Sequence, residues 1–359
     1  MGIDFTRERW DVVKEAYRRF WAHDLKRPLV RLWAKGRNPG RPKPKIREHP
    51  DRVFYDLSVT AGEIIDWWDY DTASEWIMGD AYPTVVQQLG PGALEAFLGA
   101  NVLPGEDTYW FFPENQEEIA RIRLRYDPEN VWLKRLKDIY QAGAERWQGL
   151  VQITMTDLGG NLDSVAVWRP GEKLLLDLYD YPEEVKRLTW EAHEAWWKCF
   201  EEIDSVVRPA NPGYTAWIDV FSETPYYVLQ CDFSYMIGPD MFDGFVKPEL
   251  VATMRRLGNA FYHLDGVGAM KHLDSLLAIP ELKGVQWNPG EGKPGAAHWV
   301  DAIYRRVREV GKLCYIQCPP DEMESVIKQL GGEGICFELE QWTANRREMK
   351  EFLRTFGAA

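Results

Sequence analysis

Phe261-Tyr-His-Leu-Asp-Gly266, Gly284-Val-Gln-Trp-Asn288, Lys312-Leu-Cys-Tyr-Ile-Gln-Cys318 and Gly334-Ile-Cys-Phe-Glu-Leu-Glu340 are four short, largely apolar runs near the end of the chain. Each has the length of a buried strand and each carries polar residues at its close. Segments with helical spacing separate them, at residues 269–277, 298–310 and 321–330. Strands that alternate with helices predict parallel pairing through helical crossovers. Residues two apart on a strand share a face, so His263 and Asp265 point the same way, as do Cys336, Glu338 and Glu340. In one barrel these groups would meet at one mouth, where such barrels keep their active sites.

Working outward, the same alternation continues upstream. Residues 6–23 carry Trp10, Val13, Ala16, Tyr17 and Phe20 at three- and four-residue spacing, which predicts an amphipathic helix packed on the barrel within residues 1–25. Arg27-Pro-Leu-Val-Arg-Leu-Trp-Ala34 reads as the first strand and Glu75-Trp-Ile-Met-Gly-Asp80 as the second. Leu150-Val-Gln-Ile-Thr-Met-Thr-Asp157 reads as the third and Tyr227-Val-Leu-Gln-Cys-Asp232 as the fourth, with an extra extended piece at 214–221. Helical patterns cover 93–98, 115–148 with Pro128 as an interruption, and 182–203. The fold expectation is one α/β domain over residues 1–359, a single (β/α)8 TIM barrel with an N-terminal helical extension. An open doubly wound sheet is the alternative, but no nucleotide fingerprint follows the first strand.

Composition narrows the function. A net charge of −13 argues against nucleic acid as a main partner, because phosphate binding needs surplus Lys and Arg. Five cysteines without short paired spacing argue against a disulfide scaffold and for a reducing cytoplasm. Neither a signal peptide nor a run long enough to span a membrane is expected. The 17 tryptophans fill a core on the simpler reading. Those near strand ends (Trp33, Trp76, Trp217, Trp287 and Trp342) are the candidates for lining a substrate pocket, beside Asn288 and Gln317.

With the strands in order, the chain resembles the uroporphyrinogen decarboxylase superfamily, which includes corrinoid-dependent methyltransferases. The resemblance rests on Arg27-Pro28 before the first strand, Gly79-Asp80 at the end of the second, and Asp232-Phe-Ser-Tyr-Met-Ile-Gly-Pro-Asp-Met-Phe242 leading to a helix at 245–248. His263-Leu-Asp265 stands where the methyltransferases have His-x-Cys, and Gln317-Cys-Pro-Pro-Asp321 is similar to the family's Gly-Asn-x-Asp-Pro turn. The chain departs from the decarboxylase at Cys336-Phe-Glu, where that enzyme has a histidine, and only Lys35-Gly-Arg37 and Arg41 echo its arginine-rich loop.

The resemblance implies Zn2+ held by His263, Asp265 and Cys336, with Asp80, Asp232 and Glu338 as catalytic carboxylates and Arg37 among the substrate-binding groups. It implies methyl transfer to an acceptor from a separate corrinoid protein or a methylated small molecule, and it allows a homodimer. Three protein ligands and one open position are the pattern of a catalytic zinc site. The alternative is a cofactor-free lyase or hydrolase that uses paired carboxylates in a Trp-lined pocket. Simpler readings stand beside both: a strand His-Asp pair can be a hydrogen bond, buried Cys can be an apolar filler, and Asp at a strand end can cap the next helix. The basic run Lys35, Arg37, Arg41, Lys43, Lys45 and Arg47 is either an anion clamp or a solvated loop.

Overall fold

The computed structural model describes residues 2–105, 108–339 and 345–358. Thr6 opens the first helix, Arg7–Trp21, its hydroxyl oxygen accepting from Arg9 N at 3.4 Å. Trp10, Val13, Ala16, Tyr17 and Phe20 form the buried face that the spacing anticipated. The strands come in order: β1 (Leu29–Lys35), β2 (Glu75–Gly79), β3 (Thr84–Val85), β4 (Asn101–Pro104), β5 (Tyr109–Phe112) and β6 (Gln152–Ile153). After the long helix Pro182–Val207 come β7 (Tyr226–Leu229), β8 (Asn259–Asp265), β9 (Gly284–Asn288), β10 (Leu313–Cys318) and β11 (Ile335–Leu339).

The architecture is mixed α/β around a parallel-rich central sheet. Its seven strands run in the order β2-β1-β11-β10-β9-β8-β7, and every pairing is parallel except β1 with β2. Thus β1 lies between the last strand and the second, which ties the two ends of the chain together. A separate parallel pair joins β3 to β6, and an isolated parallel bridge joins Met155 to Ala216.

The parallel strands share a carboxyl edge, where Asp265 and Asn288 pair, and an amino edge, where Leu29 pairs with Cys336. Strand β2 runs the other way: Gly79 faces Arg31, while Glu75 faces Lys35. Asp80 therefore sits at the amino edge, not at the mouth expected for it.

Other expectations shift in detail. Residues 115–130 are not helical, and the helix begins at Val131, capped by Asn130 Oδ1 accepting from Trp132 N and Leu133 N. The helices Ala61–Ala73, Asn161–Trp168 and Glu172–Asp180 and the β4–β5 hairpin were not anticipated. All five cysteines are buried. Among the described residues no helix is long and apolar enough to cross a membrane.

Candidate metal centre

Asp232, His263 and Asp265 bring one ligand atom each within 4.8 Å of one another. Two come from β8, where the two-residue spacing puts both side chains on one face. Asp232 comes from the short 3-10 turn after β7. Asp163 fixes that turn: its Oδ2 accepts from Asp232 N at 2.8 Å and its Oδ1 from Phe233 N at 2.7 Å.

Neighbouring strand β9 orients the two β8 ligands. Gln286 sits opposite His263, its Nε2 donating to Trp287 O at 3.4 Å and its Oε1 facing His263 Nδ1. An amide oxygen only accepts, so Nδ1 carries a proton towards Gln286 and Nε2 is the nitrogen turned towards Asp265. Nε2 lies 3.8 Å from Asp265 Oδ1. Asn288 Nδ2 donates to that same Oδ1 at 2.7 Å. Each β8 ligand thus has a polar partner on β9, as metal ligands commonly do. Trp217 packs edge-on against the imidazole with ring centroids 5.0 Å apart.

A row of acids extends inward from this group. Burial pushes the Asp157 carboxyl up to about 7; the Gly159 amide opposes the rise and Asp232 adds to it. Asp163 is raised as well, by burial first and then by Asp232. Desolvation also raises Asp232, with His263 pulling it back and Asp265 adding to the rise. So much crowded negative charge is an environment a cation relieves.

Cys336 does not join the ligand group. It is the second residue of β11, fully buried, and pairs with Leu29 and Tyr315. Burial pushes its thiol up to about 12, against the opposing pull of Arg31, so it stays protonated unless a metal takes it. Glu338 serves a second cluster. Its Oε2 accepts from Arg31 Nη1 at 3.1 Å and from the Tyr315 hydroxyl, and its Oε1 from Gln317 Nε2 at 3.3 Å. Arg31 is wholly buried, also meets Asp219 at 3.1 Å, and lies over the Trp33 ring at 4.5 Å. Burial lifts the Asp219 carboxyl to about 6 despite the adjacent Arg31.

The remaining candidates scatter. Asp80 is bound bidentately by Arg27 at 2.7 and 2.8 Å and accepts from Val30 N at 2.9 Å. Arg37 donates to Ala73 O, and Trp76 of β2 pairs with Ala34 of β1. Trp287 is buried against Trp299 at 5.3 Å, a core contact. Glu340 and Trp342 lie outside the described residues. Half of the basic run is paired with nearby acids: Lys35 with Asp71 and Glu75, Arg41 with Asp69, and Arg47 with Asp56.

Sequence reasoning gave no role to Asp163, Asp219 or Arg31. A charged residue in the middle of a buried strand was the available signal for Arg31. Asp163 and Asp219 lie outside the regular strands, where no periodic pattern marks them.

No family model matches the chain, and no curated protein does. Among solved structures, a methyltransferase from Methanosarcina mazei aligns over 91% of this chain and 92% of its own, with a TM-score of 0.56 and 11% identity. Macrophomate synthase aligns over 62% of this chain and 72% of its own at 16% identity, with a TM-score of 0.24 that carries no weight. The first likeness is one of fold alone: this chain shares the α/β fold of that protein.

Proposed function

We propose that the chain is a metal-dependent methyltransferase of uroporphyrinogen decarboxylase-like type, in which Asp232, His263 and Asp265 hold a divalent ion at the carboxyl edge of the sheet. The observation that carries this reading is the convergence of those three ligand atoms within 4.8 Å, with His263 turned by Gln286 to offer Nε2. One imidazole and two carboxylates suit Zn2+ and also harder ions such as Mn2+. When bound, such an ion supplies Lewis acidity that lowers the pKa of an acceptor group at the open position. The fold likeness to a methyltransferase supports methyl transfer as the reaction. In this reading the donor is a separate corrinoid protein or a methylated small molecule. The sheet closes into one barrel domain through β3, β6 and the extended piece near Ala216, and the protein works in the cytoplasm, alone or as a homodimer.

The metal content of purified protein tests the centre. Wild type and Cys336→Ser should each carry about one divalent ion per chain, whereas His263→Ala and Asp232→Asn should lose it. No binding in wild type with zinc in excess would overturn the proposal. Demethylation of methylcobalamin with a thiol acceptor, lost in the same two variants, tests the reaction.

One observation favours a second reading. Asp157, raised to about 7, has a proton affinity suited to general acid–base work near neutral pH. A metal-free lyase or hydrolase would use it with Asp232.

A further inference from the structure

The amino edge carries a feature of the opposite charge. A cleft of about 370 Å³ opens between the first helix, the Gly79-Asp80 turn and the helix Arg346–Thr355. Its wall is cationic: Arg9, Arg27, Arg346, Lys350 and Arg354 all line it. Asp80 is the one acid in the lining, and Arg27 occupies both its oxygens. Asp4 reaches Arg346 at 3.3 Å. Five cations against two acids is a local excess in a chain whose net charge is −13.

The helix shows that this excess is built into one face. Arg346, Lys350 and Arg354 recur every fourth residue, so they stack along one stripe. Like charges at that spacing destabilise a helix; Asp4 relieves Arg346 alone, while Glu351 of the same helix pairs with Arg347 at 3.0 Å. Among the described residues neither Lys350 nor Arg354 has an ion-pair partner. Arg9 is held in place beneath, donating to Ile77 O at 2.7 Å and Gly79 O at 3.3 Å. Apolar surface from Val12, Ile77, Met78 and Leu353 completes the cleft.

We infer that this cleft binds a small phosphate ester, up to a mononucleotide in size, whose phosphates lie against the Arg346–Lys350–Arg354 stripe and whose body rests on the apolar wall. The volume suits a ligand of that size. Arginine forks and a lysine point charge are the groups that recognise phosphate. The enclosure and the acidic remainder of the surface favour a small anion over a nucleic-acid strand.

Calorimetric titration of the whole protein with ADP and with inorganic pyrophosphate, in about 50 mM salt, tests the inference. Lys350 and Arg354 are exposed, so Lys350→Gln/Arg354→Gln should fold normally. The double variant should weaken ADP binding about tenfold or more, Arg347→Gln should leave it unchanged, and ADP should bind more tightly than pyrophosphate. Absence of saturable binding, or binding equally sensitive to Arg347→Gln, would overturn it.

Discussion

At the scale of single residues, Asp80 illustrates how a side chain can look catalytic and be structural. Its two oxygens hold Arg27 and the Val30 amide, and its side chain is 6% exposed. Asp80→Ala strands both donors and should cost about 3 kcal/mol in urea denaturation, with metal content per folded chain unchanged. A stable variant that loses metal would place Asp80 at the centre instead. Glu95 is a second case. Burial pushes its carboxyl up to about 8; the Ser164 hydroxyl opposes the rise, and Asp157 and Asp163 add to it. The folded chain therefore keeps a proton that the unfolded chain gives up near pH 4.3. The resulting stability is whole below that pH and is lost as pH rises through about 8. Glu95→Gln should flatten this decline in denaturation midpoints measured from pH 5 to 8; an unchanged slope would refute the assignment. Of the three residues that converge, His263 and Asp265 were expected as metal ligands and Asp232 as a catalytic carboxylate; Asp232 and Asp265 were legible because each closes an apolar run. Cys336 misled because its run begins one residue earlier, at Ile335, which leaves the thiol deep in the sheet and near its amino edge.

At the scale of elements, the strands of the second half were legible almost to the residue because each is a short apolar run between helical patterns. The direction of β2 was not, since nothing in Glu75-Trp-Ile-Met-Gly distinguishes a parallel strand from an antiparallel one. At the strand's end Gly79 takes φ +65°, and Asp80 N donates back to Val30 O of β1 at 2.8 Å. A Cβ at Gly79 would stand 2.2 Å from Val30 O and 3.0 Å from Leu353 Cδ2. Gly79→Ala should therefore destabilise the protein by about 2 kcal/mol or more, through both the left-handed backbone and the clash. Because Leu353 belongs to the helix that carries the cationic stripe, hydrogen exchange should quicken in β2 and in Arg346–Thr355 together. Protection lost in β2 alone would show that the two elements do not support each other. The hairpin β4–β5 was missed for a different reason: it exposes Leu103, Trp110 and Phe112 and so lacks the buried alternation by which strands are recognised.

At the scale of the molecule, the two candidate sites occupy opposite edges of one sheet and carry opposite charge. The acids Asp157, Asp163, Asp232 and Asp265 gather beyond the strand ends, while Arg9, Arg27, Arg346, Lys350 and Arg354 gather at the strand starts. Parallel strands separate the two sets by their full length, and no described residue belongs to both. Sites so far apart with no shared partner should act independently. Each ligand stabilises the native state by RT ln(1 + [L]/Kd), so zinc and ADP together should raise stability by the sum of their separate effects, within about 0.5 kcal/mol. Denaturation with neither, either and both ligands measures this directly. His263→Ala should abolish the zinc increment and leave the ADP increment intact, and Lys350→Gln/Arg354→Gln should do the reverse. Non-additivity beyond that margin would mean that the sheet transmits strain between its edges, or that ADP chelates the metal at the mouth. Repeating the cycle with Lys350→Gln/Arg354→Gln separates those two causes, since strain requires ADP in the cleft and vanishes with it, whereas chelation at the mouth persists.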